Sequence, residues 1–266
     1  MTYEPGKVVR GSIRFALEGS DGGARRTQRS GDGRRKRDRQ GDRGRARGAR
    51  RACHLADIDD KAVTQLAGTL GPLALPLKLD VTDHSIVDGL LESIPPEFRP
   101  IDILINNAGH DVGGRTHFAR GPADDWTSIL DVNLTGMVRV TRAVVPEMIE
   151  RNSGDIVNMS SISALRLVPE TAAYTTSKAG VRAFSDALRA DLSDTAIRVT
   201  EVLPGLTRTN IILKRHRGDR ALEKAYFDQA RITLDPEDIS RMVLFALEQP
   251  AHMQIAQLFV LPVNRW

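Results

Sequence analysis

Between Glu18 and His54 the chain contains no Val, Ile, Leu, Met, Phe, Tyr or Trp. Such a segment can supply neither a core strand nor an amphipathic helix, because no apolar burial offsets the entropy of ordering it. The core must therefore come almost wholly from residue 55 onward. Residues 24–51 hold twelve arginines and Lys36 against Asp32, Asp38 and Asp42, a local charge of +10. The whole chain carries +4, which leaves −6 for the rest, so the basic character belongs to this tract alone. Read as a disordered arm, the tract would make salt-sensitive contacts with phosphates. It has no aromatic residue to stack on bases, which weighs against nucleic acid as a partner.

From residue 55 the pattern changes. Leu73–Leu79, Ile101–Ile105, Asp155–Met159, Ile197–Val202 and Gln257–Val260 read as short apolar strands, and a further strand should end at Asp57. Helical stretches alternate with them near Asp59–Thr69, His84–Ser93, Asp124–Arg151, Ala173–Ser193 and Pro236–Glu248, the last with Asp235 as its cap and Pro236 in the first turn. Alternating strands and helices with short connections imply an α/β fold, a Rossmann-like doubly wound parallel sheet in a single domain. With 266 residues there is length for one such domain: an aberrant segment 1–54 where the first strand and helix belong, then a catalytic domain over 55–266.

The single cysteine, Cys53, excludes an internal disulfide and suits a reducing compartment. The start lacks an apolar signal core, and no stretch reaches the roughly 18 apolar residues of a membrane span. The expected location is the cytoplasm, with no membrane contact.

Chemistry concentrates in the C-terminal half. Tyr174 and Lys178 stand four residues apart, on one face of a helix, and Ser161 lies thirteen residues before the tyrosine. A lysine ammonium beside a phenol favours phenolate and should pull the tyrosine pKa below its usual value of about 10. A serine hydroxyl at the end of the preceding strand can hold a carbonyl or alcohol oxygen against that phenol. This is an acid–base unit suited to hydride transfer.

Over residues 55–266 the chain resembles the short-chain dehydrogenase/reductase family. The resemblance rests on Asp80-Val81, Asn106-Asn107-Ala108-Gly109, Val132-Asn133, Asn158-Met159-Ser160-Ser161, Tyr174 to Lys178, and Pro204-Gly205 followed by Thr207 and Thr209, in family order and spacing. It implies that Tyr174 is the general acid/base, that Ser161 orients the substrate oxygen, and that Lys178 tunes the tyrosine and bonds the nicotinamide ribose. Asn133 is then expected to support a proton-carrying water chain. Asp80 and Val81 would bracket the adenine. Asn107, Ala108 and Gly109 would line the adenosine side, while Pro204, Gly205 and Thr209 approach the carboxamide. Helices 124–151 and 173–193 would pair with a second subunit in a homodimer or homotetramer. No metal is implied.

The family also needs a glycine-rich loop, Thr-Gly-x-x-x-Gly-x-Gly, to bring backbone against a pyrophosphate. This sequence has none. Permitted codons for Ser30–Arg51, read one base later, can spell Ala-Val-Thr-Gly-Gly-Gly-Ser-Gly-Ile-Gly followed by an alanine-rich helix. The tract is thus compatible with a frameshift that begins before Ser30 and is restored near Cys53. Asp57 lies 18 positions after Arg39, which the last decoded glycine overlies. An acid about 20 residues past that loop bonds the ribose hydroxyls of NAD and repels a 2′-phosphate. NAD is the expected cofactor over NADP, and with it a lean toward oxidation of a secondary alcohol to a ketone.

The segment Leu206–Leu234 should form a lid, rich in Arg208, Lys214, Arg215, His216, Arg217 and Arg220. A guanidinium there can clamp a substrate carboxylate, or the cations can form a solvated face. Gly218 to Ala225, Leu234 to Asp238, Pro250-Ala251-His252 and Leu261-Pro262-Val263 resemble the branch that oxidises serine and other 3-hydroxy acids, which favours an anionic substrate. His110 and Arg166 are expected to flank the pocket. Two alternatives stay open: a relative that has lost its cofactor with the glycine loop, and nucleic-acid binding by the basic arm.

Overall fold

The computed structural model describes residues 52–113, 115–230 and 232–263, together with the backbone of residues 13–15. The expectations placed on the arginine-rich tract, arm and displaced glycine loop alike, lie outside these residues. Seven strands form one sheet: β1 (Ile13–Phe15), β2 (Cys53–Asp57), β3 (Ala74–Lys78), β4 (Ile103–Asn106), β5 (Gly154–Met159), β6 (Ile197–Pro204) and β7 (Gln257–Val260). Their order is β3-β2-β1-β4-β5-β6-β7. β2 with β3, and β4 through β7, pair parallel, as expected of a doubly wound sheet.

The central strand departs from that plan. β1 runs antiparallel to both β2 and β4, with Phe15 opposite His54 and Arg14 opposite Ile105. No strand was expected this early in the sequence. A parallel neighbour would require a crossover, usually a helix with an apolar face, between β1 and β2. The sequence from Glu18 to His54 has no residues for such a face. An antiparallel strand needs no crossover, because it ends beside the start of β2.

Nine helices are seen among the described residues: α1 (Asp60–Leu70), α2 (His84–Asp88), α3 (Leu90–Ser93), α4 (Ala123–Leu130), α5 (Met137–Glu150), α6 (Ala172–Asp191), α7 (Ile211–Arg215), α8 (Arg220–Asp228) and α9 (Pro236–Leu247). Alternation along the strands assigns the two faces of the sheet. Leu104, Ile156 and Val199 turn to one side and pack with Val140, Val144 and Met148 of α5. Ile103, Val157 and Val202 turn to the other and meet Ile239, Val243 and Leu247 of α9. Each such buried side chain contributes about 1.5–3 kcal/mol. Beside α9's face, Cys53 and Leu55 pack on Val63 and Leu66 of α1.

A buried ion pair ties β5, β6 and the end of α9 together. Arg198 donates from Nε to Asp155 Oδ1 at 2.5 Å, and from its terminal nitrogens to the carbonyls of Leu247 (3.0 Å), Gln249 (2.9 Å) and Met253 (3.2 Å).

Local signals place several ends. Asp83 caps α2 by accepting from Ser85 and Ile86, and Gly89 separates α2 from α3 where one helix was expected. Asp235 is the N-cap of α9, and Asp238 accepts its backbone N–H at 2.8 Å. The long helix expected over 124–151 is instead α4 and α5 joined by a π-turn, Asp131–Gly136. Gly136 permits the turn to press on Val81: a Cβ there would stand 2.6 Å from Val81 Cγ2 and 2.8 Å from its carbonyl oxygen. Gly136→Ala is therefore expected to cost about 1–3 kcal/mol of stability, measured as a lower denaturant midpoint with an unchanged slope. Among the described residues no helix is long and apolar enough to cross a membrane.

Candidate active site

The carboxyl ends of β4, β5 and β6 converge on one side of the sheet, where ligands bind in open α/β folds. β5 ends at Met159 and leads into Ser160 and Ser161; Ser161, 8% exposed, accepts from the Ser163 N–H at 3.1 Å and is hydrogen-bonded to Tyr174. Helix α6 presents Tyr174 and Lys178 one turn apart, both buried. Lys178 Nζ stands 5.8 Å from the Tyr174 ring centroid and donates to the Met159 carbonyl at 2.9 Å. Ser160 Oγ donates to the Lys178 carbonyl at 3.1 Å, which locks the strand end to the helix. Serine, tyrosine and lysine are thus brought together as expected.

The π-turn adds Asn133. Its Oδ1 accepts from His110 N–H, and its Nδ2 donates to the His110 carbonyl, both at 2.9 Å. Nδ2 also lies 3.1 Å from Ser177 Oγ on α6. Asn133 therefore fixes the loop after β4 against the helix that carries Tyr174. π-turns interrupt helices most often at functional sites. His110 sits within this network and contacts Ser128 Oγ at 3.2 Å, whereas Arg166 is exposed.

The electrostatics correct one expectation. Burial pushes the Tyr174 phenol up to about 12, outweighing the lowering effect of its bond to Ser161. Lys178 is itself lowered to about 8, again by burial, with Asp111 opposing the shift. The lysine does not pull the phenol down here, because its short bond is to Met159 and the low-dielectric surroundings penalise both charges.

Among the described residues of the lid, Arg215 is the buried cation. α7 and α8 build the lid. Arg208 covers the Phe227 ring at 4.6 Å, Arg217 pairs with Asp125 at 2.5 Å, and Arg220 lies 3.9 Å from Glu223. These three, with Lys214, are exposed. Arg215 points inward, donating from Nε and Nη2 to Asp111 Oδ2 at 2.8 and 2.6 Å. Asp111 is 3% exposed, and burial raises its pKa even against Arg215. Sequence reading missed Asp111; its only signal is an acid two residues past Gly109 in a chain whose lid is cationic. Ile211 of α7 packs beside Tyr174, Ala173 and Ile129, which closes the lid over the phenol.

The expected dinucleotide residues lie at or just after the carboxyl ends of β2, β3, β4 and β6. Gly109 admits backbone close to the catalytic groups: a Cβ there would lie 3.2 Å from Asn133 Oδ1 and 3.7 Å from Lys178 Nζ. Asn107 and Ala108 precede it, half-buried. Gly205, after Pro204, lies against Pro262 and Leu261, and Thr209 is exposed, accepting from Ile211 N–H at 3.4 Å. Asp80 folds back to accept from Thr82 N–H and Oγ1, with Val81 buried beside Gly136. Asp57, at the end of β2, accepts from Asp59 N–H at 2.9 Å. Gly109 thus leaves an open, close-packed stretch of backbone beside Lys178 and Asn133, of the kind a dinucleotide can approach. Among the described residues no group of three His, Cys, Asp or Glu could hold a metal ion.

Residues 45–219 match the family described as short chain dehydrogenase. The chain belongs to the short-chain dehydrogenase/reductase family. It is an oxidoreductase acting on CH–OH donors with a nicotinamide cofactor. The NADP-dependent 3-hydroxy acid dehydrogenase of Schizosaccharomyces pombe is 38% identical over 191 residues, 72% of this chain and 73% of that protein. A protein of the same description from Escherichia coli is 38% identical over 203 residues, 76% and 81% of the two chains. Among solved structures, the closed form of a serine dehydrogenase complexed with NADP+ superimposes with a TM-score of 0.77 at 36% identity, covering 80% of this chain and 86% of that one. An NAD+-bound xylitol dehydrogenase gives 0.67 at 27%, covering 78% and 86%.

Proposed function

We propose that the chain interconverts a small hydroxy acid and the corresponding carbonyl acid, with Ser161, Tyr174, Lys178 and Asn133 as its catalytic residues. The observation that carries this is the buried Ser161–Tyr174–Lys178 cluster at the end of β5. The dinucleotide, when bound, supplies or accepts the hydride. Ser161 holds the substrate oxygen beside the phenol. At neutral pH a phenol near 12 is protonated, so Tyr174 serves directly as the acid that completes carbonyl reduction. In the oxidising direction it must first lose that proton, so the oxidation rate should climb with pH. Asn133 keeps the loop after β4 and helix α6 in register, and Lys178 stands ready for the ribose.

For the dinucleotide itself, two arguments pull apart. Asp57 is a buried carboxylate and would repel a 2′-phosphate, as NAD preference requires. Against it stand two relatives named NADP-dependent, each spanning more than two thirds of this chain. We favour NADP on that likeness. Fluorescence titration should show NADPH binding about tenfold tighter than NADH, the size of one moderate polar contact; the reverse order would restore NAD. Asp57→Ala should widen the NADPH advantage.

Helices α4, α5 and α6 are the proposed faces for a homodimer or homotetramer, and the cytoplasm is the proposed location. The test of function is formation of reduced nicotinamide from NADP+ or NAD+ with a panel of hydroxy acids. No turnover together with no dinucleotide binding would sink the reading. The second reading, a cofactor-dead relative, is favoured by the missing glycine loop and would then stand.

A further inference from the structure

Arg215, the buried cation among the described residues of the lid, has a nitrogen with no hydrogen-bond partner. Arg215 is 9% exposed, and Nε and Nη2 are both spent on a single oxygen of Asp111. Its third nitrogen, Nη1, is buried without a hydrogen-bond partner. A buried N–H left unmade is costly, and in native structures such a group calls for a reason. The surroundings supply one. Tyr226 lies under the guanidinium, with Cζ 5.3 Å from the ring centroid. Val112, next to Asp111, and Ile211, one turn before Arg215, both pack on the cluster that holds Tyr174, so the pair stands on elements that border the reacting group. The other titratable groups acting on Asp111 are His110 and Lys178.

We propose that Arg215 Nη1 receives the anionic group of the substrate, and that Asp111 is a positioning residue that turns the guanidinium so that this nitrogen faces the pocket. The two side chains divide the guanidinium between them. One edge is held by Asp111 from the loop after β4, and the remaining N–H groups face the substrate. The arrangement also makes recognition depend on closure, because Arg215 reaches the site only with α7 packed on the Tyr174 cluster. Asp111 sets the strength of the clamp as well as its direction, since its negative charge partly cancels the attraction that Arg215 offers an anion. Full loss of Asp111 would leave a stronger but less oriented cation. This inference rests on the hydroxy-acid reading for the identity of the anion, but not for its existence.

The test compares 3-hydroxypropanoate with its neutral amide, by calorimetric binding and by turnover, in the full chain with dinucleotide present. The wild-type protein should prefer the acid. Arg215→Gln should weaken acid binding by about 30-fold, the worth of one charge-assisted hydrogen bond, and leave the amide within about threefold. Asp111→Asn keeps an acceptor for the guanidinium and removes the opposing charge, so acid binding should tighten by about threefold to tenfold. A merely structural ion pair would make both variants lose acid and amide alike, and that result overturns the proposal. The double variant Asp111→Asn/Arg215→Gln leaves no unpaired buried charge. It covers the case in which Arg215→Gln fails to fold, and it should bind acid and amide equally. Binding that follows these signs without turnover would uphold the subsite and sink the dehydrogenase reading. Turnover of both compounds without discrimination would do the opposite.

Discussion

Tyr174→Phe is expected to lower turnover by about 10²–10⁴-fold, the range for losing a positioned general acid, while dinucleotide affinity changes by less than about twofold. The phenol oxygen is the one polar atom removed. The ring stays in its cluster with Ile129 and Ala173, so the site should keep its shape. A pH profile sharpens the test. In the wild-type enzyme, oxidation should accelerate from neutral pH upward, because Tyr174 is held near 12 and must act as a base. Reduction should be nearly flat over the same range. Residual activity in the phenylalanine variant should lose that slope. Wild-type-like turnover with the slope retained would show that another group moves the proton.

Arg198→Met should be the most damaging single change to stability, at about 3–5 kcal/mol, because it removes one member of a buried ion pair. Asp155 is 3% exposed, and three backbone carbonyls near the end of α9 lose their donor together. Chemical denaturation measures the loss as a lower midpoint. A loss under about 1 kcal/mol would mean that water reaches the vacated space and solvates the carboxylate, as at an exposed pair.

The sequence was most legible where periodicity and chemistry coincide. Gln257–Val260 was read to the residue, and the Ser161, Tyr174 and Lys178 cluster was read from spacing, since a strand end and one helical face leave little freedom. Less could be read where tertiary context decides. The acidity of Tyr174 was inferred from its lysine neighbour, but burial, which no spacing reveals, governs it. Helix α7 has only five residues and a cluster of cations after it, so its inward-facing Arg215 looked like its solvated neighbours. Asp111 gains its meaning only from that arginine, 104 positions away. β1 escaped notice because three residues carry too short a pattern to count, and its reversed direction follows from what the next segment lacks.

The π-turn between α4 and α5 has a consequence for how the gene can change. One residue of an α-helix turns the chain by about 100°. Deleting any residue from Asp131–Gly136 would smooth the helix into a regular one and improve its local hydrogen bonding. It would also swing Val140, Val144 and Met148 about 100° away from the sheet relative to α4. Outside Asn133 and Gly136, substitutions across this stretch can be absorbed one at a time, but its length cannot drift. Descendants of this chain should therefore vary in spelling at the other positions of the turn and stay fixed in count.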